Sequence, residues 1–138
     1  MFINGTQYSI GADPELFVAH KGEFVSGHDL IPGDKKNPHV VPNGAVQVDG
    51  MALEFNIDPA ESLEEFNHNL DSVQETLKGM IGDKEFLDAA TVNFDEKFKE
   101  TIPNKNLALG CEADYNGWAM ESNYPPDADL NMRTAGGH

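Results

Sequence analysis

A carboxylate and an amide spaced to share one face of a strand, with a second carboxylate expected on a nearby strand, are the first chemically suggestive feature of this sequence. Through Ala52-Leu53-Glu54-Phe55-Asn56-Ile57, the apolar Leu53, Phe55 and Ile57 fall on one face. Ala52, Glu54 and Asn56 fall on the other, because side chains alternate along a strand with period two. Analogous alternation around Glu15-Leu16-Phe17-Val18 is expected to place Glu15 on a nearby strand, with its side chain on the Glu54 face. Carboxylates converging on a concave sheet suit a hard cation, since Mg²⁺ takes a few carboxylates and completes its shell with phosphate oxygens and water. The competing reading is ordinary: in a chain with 24 acidic residues, an acid on the outer face of a strand is a solubilising group. Two further acids carry the same ambiguity. Asp13 precedes Pro14 and is a good turn starter, and Asp49-Gly50 is a hairpin-turn dipeptide.

The five histidines, His20, His28, His39, His68 and His138, show no paired zinc-helix spacing of the His-Glu-x-x-His type. His138 stands apart because it follows Gly136-Gly137, whose missing side chains let backbone pass close to a ligand. The single cysteine, Cys111, lies in an apolar run without a nearby histidine and reads as a structural thiol. Arg133 is the sole arginine, suited either to an ion pair or to a bidentate fork on phosphate or carboxylate. Glycine-rich phosphate loops of the G-x-G-x-x-G or P-loop type are absent from the sequence.

These residues need elements to hold them. The segment from Tyr8 to Val25 reads as a strand, a turn at Gly11-Ala12-Asp13-Pro14, a second strand through Leu16-Phe17-Val18, and a hairpin over Lys21-Gly22 to Phe24-Val25. A helix is expected from Ser62 to about Gly79. Ser62 and Glu65 form a capping box, and Leu63, Phe66, Leu70, Val73, Leu77 and Met80 recur at steps of three and four. A strand around Ala89-Thr91-Asn93, a short charged helix from Asp95 to Thr101 closed by Pro103, and a strand from Leu107 to Cys111 follow. The rest, Glu112 to His138, has no clear period. The expected fold class is α+β: an antiparallel sheet with a long amphipathic helix packed on its convex face, leaving the opposite face for chemistry.

Composition narrows the functions. A chain of 138 residues with 39% hydrophobic residues suffices for one domain. Its net charge of -15 repels phosphate backbones and anionic membranes, arguing against sequence-independent nucleic-acid binding and membrane-surface binding. One cysteine allows no internal disulfide, and neither a secretory signal nor an apolar run of about 18 residues is visible, so cytoplasm is the expected location.

Four blocks taken together resemble a known family. They are Gly11-Ala12-Asp13-Pro14-Glu15-Leu16-Phe17, Val48-Asp49-Gly50-Met51-Ala52-Leu53-Glu54-Phe55-Asn56, Gly110-Cys111-Glu112-Ala113-Asp114 and Arg133-Thr134-Ala135-Gly136-Gly137-His138. In this order they resemble the phage-type carboxylate-amine ligases, amidoligases of the glutamine synthetase and glutamate-cysteine ligase-like fold. The resemblance implies a concave sheet face holding ATP and Mg²⁺, where a carboxylate is phosphorylated and an amine displaces the phosphate to form an amide. It implies Glu15, Glu54 and His138 as metal ligands, Asp13 and Asn56 beside them as catalytic or substrate and cofactor contacts, and Arg133 on phosphate or a substrate carboxylate. Cys111 and Asp114 would be adjacent to the site. The family pattern continues beyond Gly-Gly-His, so the resemblance covers the N-terminal half of an amidoligase domain. It implies small-molecule or peptide carboxylate and amine substrates, with a C-terminal partner chain or self-association through an exposed sheet edge. A non-catalytic binding or assembly module, such as a phage structural protein in the virion, is the alternative.

Overall fold

A computed structural model describes residues 1–109, 114–123 and 130–138. In chain order its elements begin with strands β1 (Phe2–Ile3), β2 (Thr6–Gln7), β3 (Glu15–Leu16), β4 (Val18–His20) and β5 (Glu23–Val25). Next come β6 (His39–Val41), β7 (Gly44–Asp49), β8 (Ala52–Ile57) and helix α1 (Leu63–Met80). Strands β9 (Glu85–Phe86) and β10 (Thr91–Asn93), helices α2 (Glu96–Lys99) and α3 (Asn104–Leu107), and strands β11 (Asp114–Asn116), β12 (Glu121–Asn123) and β13 (Met132–Thr134) complete the described chain. The fold is mixed α+β, and all named strand pairs are antiparallel. Among the described residues, no helix is long and apolar enough to cross a membrane.

The apolar alternation and the Asp-Gly signal meet in the central β7–β8 hairpin. Its turn is Gly50-Met51, closed by the Asp49–Ala52 pair, and Gly50 sits at φ +58°, a conformation that L side chains rarely adopt. Strands β6 and β3 flank it, giving the order β3-β8-β7-β6. The Lys21-Gly22 hairpin forms as expected, with both turn residues at positive φ, and β9 pairs on the other side of β4. The N-terminus carries a further signal of this kind: Asn4-Gly5, both at positive φ, folds β1 onto β2. The strand expected from Tyr8 is reduced to a bridge, in which Ile10 and Ala60 exchange backbone hydrogen bonds of 2.9 and 2.8 Å.

Helix α1 packs on β8 and β7. Val73 and Leu77 are fully buried against Val46, Leu53, Phe55 and Ile57 from the sheet, and Phe66, Leu70 and Met80 pack at the margin. Leu63, in the first turn, is 72% exposed and takes no part in this core. Ser62 Oγ accepts the Glu65 N–H, while the Glu65 carboxylate reaches one residue further back than a capping box requires, to the Glu61 N–H at 2.7 Å.

A second, smaller cluster lies at the Ala52 end of the other face, where Phe17, Ala52 and Val92 are buried together. Phe17 meets Phe24 edge-on at 5.4 Å, and Phe24, Phe98 and Phe94 continue the aromatic row. The face carrying Glu54 is therefore partly covered. The chain from Leu107 to Cys111 was expected as a strand; Leu107 instead ends α3, whose first turn forms as Asn106 and Leu107 donate their N–H groups to the Pro103 carbonyl. Cys111 lies outside the described residues.

The segment without clear period closes the structure. Strand β13 pairs with β10, and the chain then runs antiparallel beside residues 13–15, where Gly136 O accepts the Glu15 N–H and His138 O accepts the Asp13 N–H. The side of β3 away from β8 is thus occupied by the protein's own residues. A Cβ on Gly137 would approach Pro14 Cα to 3.3 Å, so this glycine serves close passage against backbone.

Candidate functional site

Register decides which acids meet. Glu15 and Glu54 are direct partners across β3 and β8, and Gln47 opposes Glu54 across β7 and β8. Asp49 lies two residues beyond Gln47 on the same face. One carboxylate oxygen from each of Glu15, Asp49 and Glu54 lies within 4.8 Å of the other two. Oxygens about 4.8 Å apart can sit on opposite sides of one Ca²⁺, and small side-chain rotations bring them to the shorter spacing of Mg²⁺.

The electrostatics are those of a site short of positive charge. Like charges directly opposite on a sheet repel. Burial, first, and then the charges of Asp49 and Glu15 push the Glu54 carboxyl above its ordinary pKa, against the pull of a hydrogen bond from Gln47 Nε2 at 2.8 Å and the charge of Lys35. Lys35 Nζ lies 2.8 Å from Asp49 Oδ2. The loop that presents Lys35 is pinned at both ends. Val48 N–H donates to Gly33 O, and Asp34 Oδ1 accepts the N–H groups of Lys36 and Asn37. Those hydrogen bonds, from Asn37 foremost, hold the exposed Asp34 carboxyl below the usual carboxylate range.

The three carboxylates line a cleft of about 340 Å³ floored by Phe17, Met51 and Ala52. A neighbouring cavity of about 560 Å³ shares Lys35, Asp49, Gly50 and Asn106 with it. Asn106 is buried and donates from Nδ2 to Gly50 O at 2.8 Å, while its buried Oδ1 has no hydrogen-bond partner among the described residues. A buried oxygen left without a donor or cation is costly. The donor set and this orphaned oxygen fit a hard, oxygen-seeking divalent cation.

The other expected site residues are distributed as follows. His138 is at the rim of the cleft, its ring 93% exposed and Nδ1 3.7 Å from Asp13 Oδ1, and it is not a member of the carboxylate group. Asp13 also accepts the His138 N–H at 3.0 Å, so this pair fixes the chain end against the turn before β3. Asn56 is exposed and does not line the cleft; along a strand it stands about 7 Å from Glu54. Asp49 takes the third place in the cluster that His138 was expected to fill. Its further signal is the period-two spacing from Gln47, which adds to the functional reading that Asp-Gly shares with a hairpin turn. Nothing is described of the Asp114 side chain.

Arg133 lines the cleft but is turned toward backbone. It is buried, donates from Nη1 to Leu130 O and Met132 O and from Nη2 to Leu107 O, and lies 5.4 Å from the Phe94 ring centroid. Burial holds its pKa below the usual arginine value. Its fork ties α3 to β13, where the sequence suggested phosphate or carboxylate as partner. Arg133→Ala is expected to lower stability by about 2 kcal/mol, because three carbonyls lose their donors. A denaturation midpoint unchanged from wild type would show that these bonds hold nothing.

Comparisons with protein-family models, with curated proteins and with solved structures found no match.

Proposed function

We propose that the chain is the cation-binding half of an ATP- and Mg²⁺-dependent carboxylate-amine ligase. The observation that carries this reading is the convergence of Glu15, Asp49 and Glu54 at one cleft. The four-block resemblance supports it, because three of those blocks contribute most of the residues that line the cleft. The finer fold reading, a glutamine synthetase-like sheet with α1 behind it, belongs to the same proposal.

In this reading Glu15, Asp49 and Glu54 hold Mg²⁺, and Gln47 orients the Glu54 carboxylate through its hydrogen bond. ATP and Mg²⁺ supply the activated phosphoryl group that turns a carboxylate into an acyl phosphate open to attack by an amine. The chain's own residues position and neutralise. Phe17, Met51 and Ala52 form an apolar floor, while Asp13 and His138 stand at the rim where a substrate amine would enter. A second reading, a non-catalytic module derived from such a ligase, draws on Arg133, whose bonds to backbone carbonyls take the sole arginine away from phosphate recognition.

Equilibrium dialysis separates them. ATP retained by the chain in Mg²⁺ and released by a chelator supports the ligase site. ATP that is not retained, or is retained indifferently to Mg²⁺, contradicts it and favours the module.

A further inference from the structure

We infer that Asn106 is a positioning residue for the cation site: acting through the turn between β7 and β8, it sets where the Asp49 carboxylate stands. This deepens the cation-site reading above and rests on it. Of the three carboxylates, Glu15 and Glu54 are held by backbone on both sides. Glu15 lies between β8 and the chain at Gly136, and Glu54 lies between β3 and β7. Asp49 has less support. It is the last residue of β7, where the ladder with β8 ends at the Asp49–Ala52 pair, and β6 pairs with β7 only as far as Val46. A two-residue turn, Gly50-Met51, follows directly, and of its two residues only Gly50 has positive φ. The place of the third carboxylate therefore depends on how that turn is fixed.

Asn106 fixes it from outside the sheet. Its Nδ2 donates to Gly50 O at 2.8 Å, and the Gly27 N–H donates to Met51 O at 2.8 Å, so both carbonyls of the turn are held by distant segments. Of these two donors, Asn106 holds the carbonyl nearer in sequence to Asp49, and it lines the cleft. The approach is close: a Cβ on Gly50 would lie 3.4 Å from Asn106 O. Helix α3 is anchored in its turn, because the Asn106 and Leu107 N–H groups bond Pro103 O and the Arg133 fork takes Leu107 O. A run of contacts thus joins the buried guanidinium to α3, the turn and the third carboxylate. The amide itself points the same way. A buried amide whose oxygen finds no partner among the described residues costs stability, and an apolar side chain of similar shape would avoid that cost. What the amide provides is the donor to Gly50 O. Stability alone gives little reason for such a residue at this place, and the placing of Asp49 gives one. Groups that orient a metal ligand without touching the metal are typically worth about 10- to 100-fold in metal affinity.

The test is a double-mutant cycle read by calorimetry with Mg²⁺ on the full 138-residue chain. Asn106→Leu should weaken Mg²⁺ binding about tenfold, the lower end of the range for a ligand that loses its orienting partner. In a Glu15→Gln background the same factor should be lost again, because Asp49 is still there to be misplaced. In an Asp49→Ala background, titrated at high Mg²⁺, Asn106→Leu should cost nothing further, since no carboxylate remains for the turn to place. Where leucine does not fit the fold, Asn106→Ala deletes the same hydrogen bond without added bulk and is read in the same three backgrounds. If Mg²⁺ binds wild type and both Asn106 variants alike, or if the loss is as large in the Asp49→Ala background as in wild type, Asn106 serves the fold alone; the inference is then overturned and the cation site stands. If wild type does not bind Mg²⁺, the cation site falls and the inference falls with it.

Discussion

Glu54→Gln should reduce Mg²⁺ affinity by at least about 100-fold, since loss of a direct carboxylate ligand costs no less than loss of an outer-shell partner. The same change should raise the melting temperature at pH 7 when no metal is present. The two effects have one cause. Glu54 is partly buried beside Asp49 and Glu15, and burial, chiefly, lifts its pKa in the folded chain above the unfolded value. A carboxyl shifted this way contributes stability that is fully present below the unfolded pKa and is lost as pH rises through the folded one. At pH 7 the ionised group therefore weighs against folding, and the neutral amide removes that weight while still offering an oxygen to Gln47. The gap in melting temperature between variant and wild type should close as pH falls below the unfolded pKa of the glutamate, where Glu54 becomes protonated in both states. Mg²⁺ should reverse the order, because a ligand at about 100 times its Kd stabilises the fold that binds it by about 2.7 kcal/mol. A variant that melts lower than wild type at pH 7, or binds Mg²⁺ as well, would show Glu54 to be a structural residue.

Phe17→Ala should cost about 3–5 kcal/mol, the usual range for a fully buried aromatic ring. Phe17 is 1% exposed, packs with Ala52 and Val92, and meets Phe24 edge-on. It sits between Glu15 on β3 and Val18 on β4, so its ring holds the first carboxylate strand to the floor of the cleft. The melting temperature should fall by roughly 10–20 °C for a chain of this size. Leu63→Ala is the contrast: that side chain is 72% exposed, and its loss should change stability by no more than about 0.5 kcal/mol. Equal losses from the two substitutions would mean that the second core does not exist as described.

Much of this arrangement was legible in the sequence where local pattern and tertiary packing agree. Leu53, Phe55 and Ile57 alternate with Glu54 and Asn56 because one face of β8 meets α1, and that requirement writes itself into the residue types. Lys21-Gly22 and Gly50 announce their turns because those backbone conformations restrict which residues can occupy them. The carboxylate cluster was legible in part. Glu15 and Glu54 followed from alternation, but their direct pairing depends on the register of β3 against β8, which involves strands far apart in sequence. Asp49 stayed ambiguous because one Asp-Gly dipeptide reads equally well as a turn and as a functional acid. Leu107 misled because a short apolar run next to proline suits a strand as well as a single helical turn. The partners of Arg133 were illegible: its acceptors are carbonyls of Leu107, Leu130 and Met132, and backbone carbonyls carry no residue signature. Gly136 and His138 alongside residues 13–15 were as hard to read: their backbone groups bond the backbone of Asp13 and Glu15 and the carboxylates of the same two residues, across 121 and 125 positions.

Amide NMR of the chain titrated with Mn²⁺ locates the cation directly, because its unpaired electrons broaden signals according to their distance from the ion. Broadening should begin at Glu15, Asp49 and Glu54, reach Gln47 and Asn106 next, spare the middle of α1, and be reversed by excess Mg²⁺. Broadening centred on the acidic first turn of α1, at Glu64 and Glu65, or spread evenly over the acidic surface, would contradict a cation site at the three carboxylates.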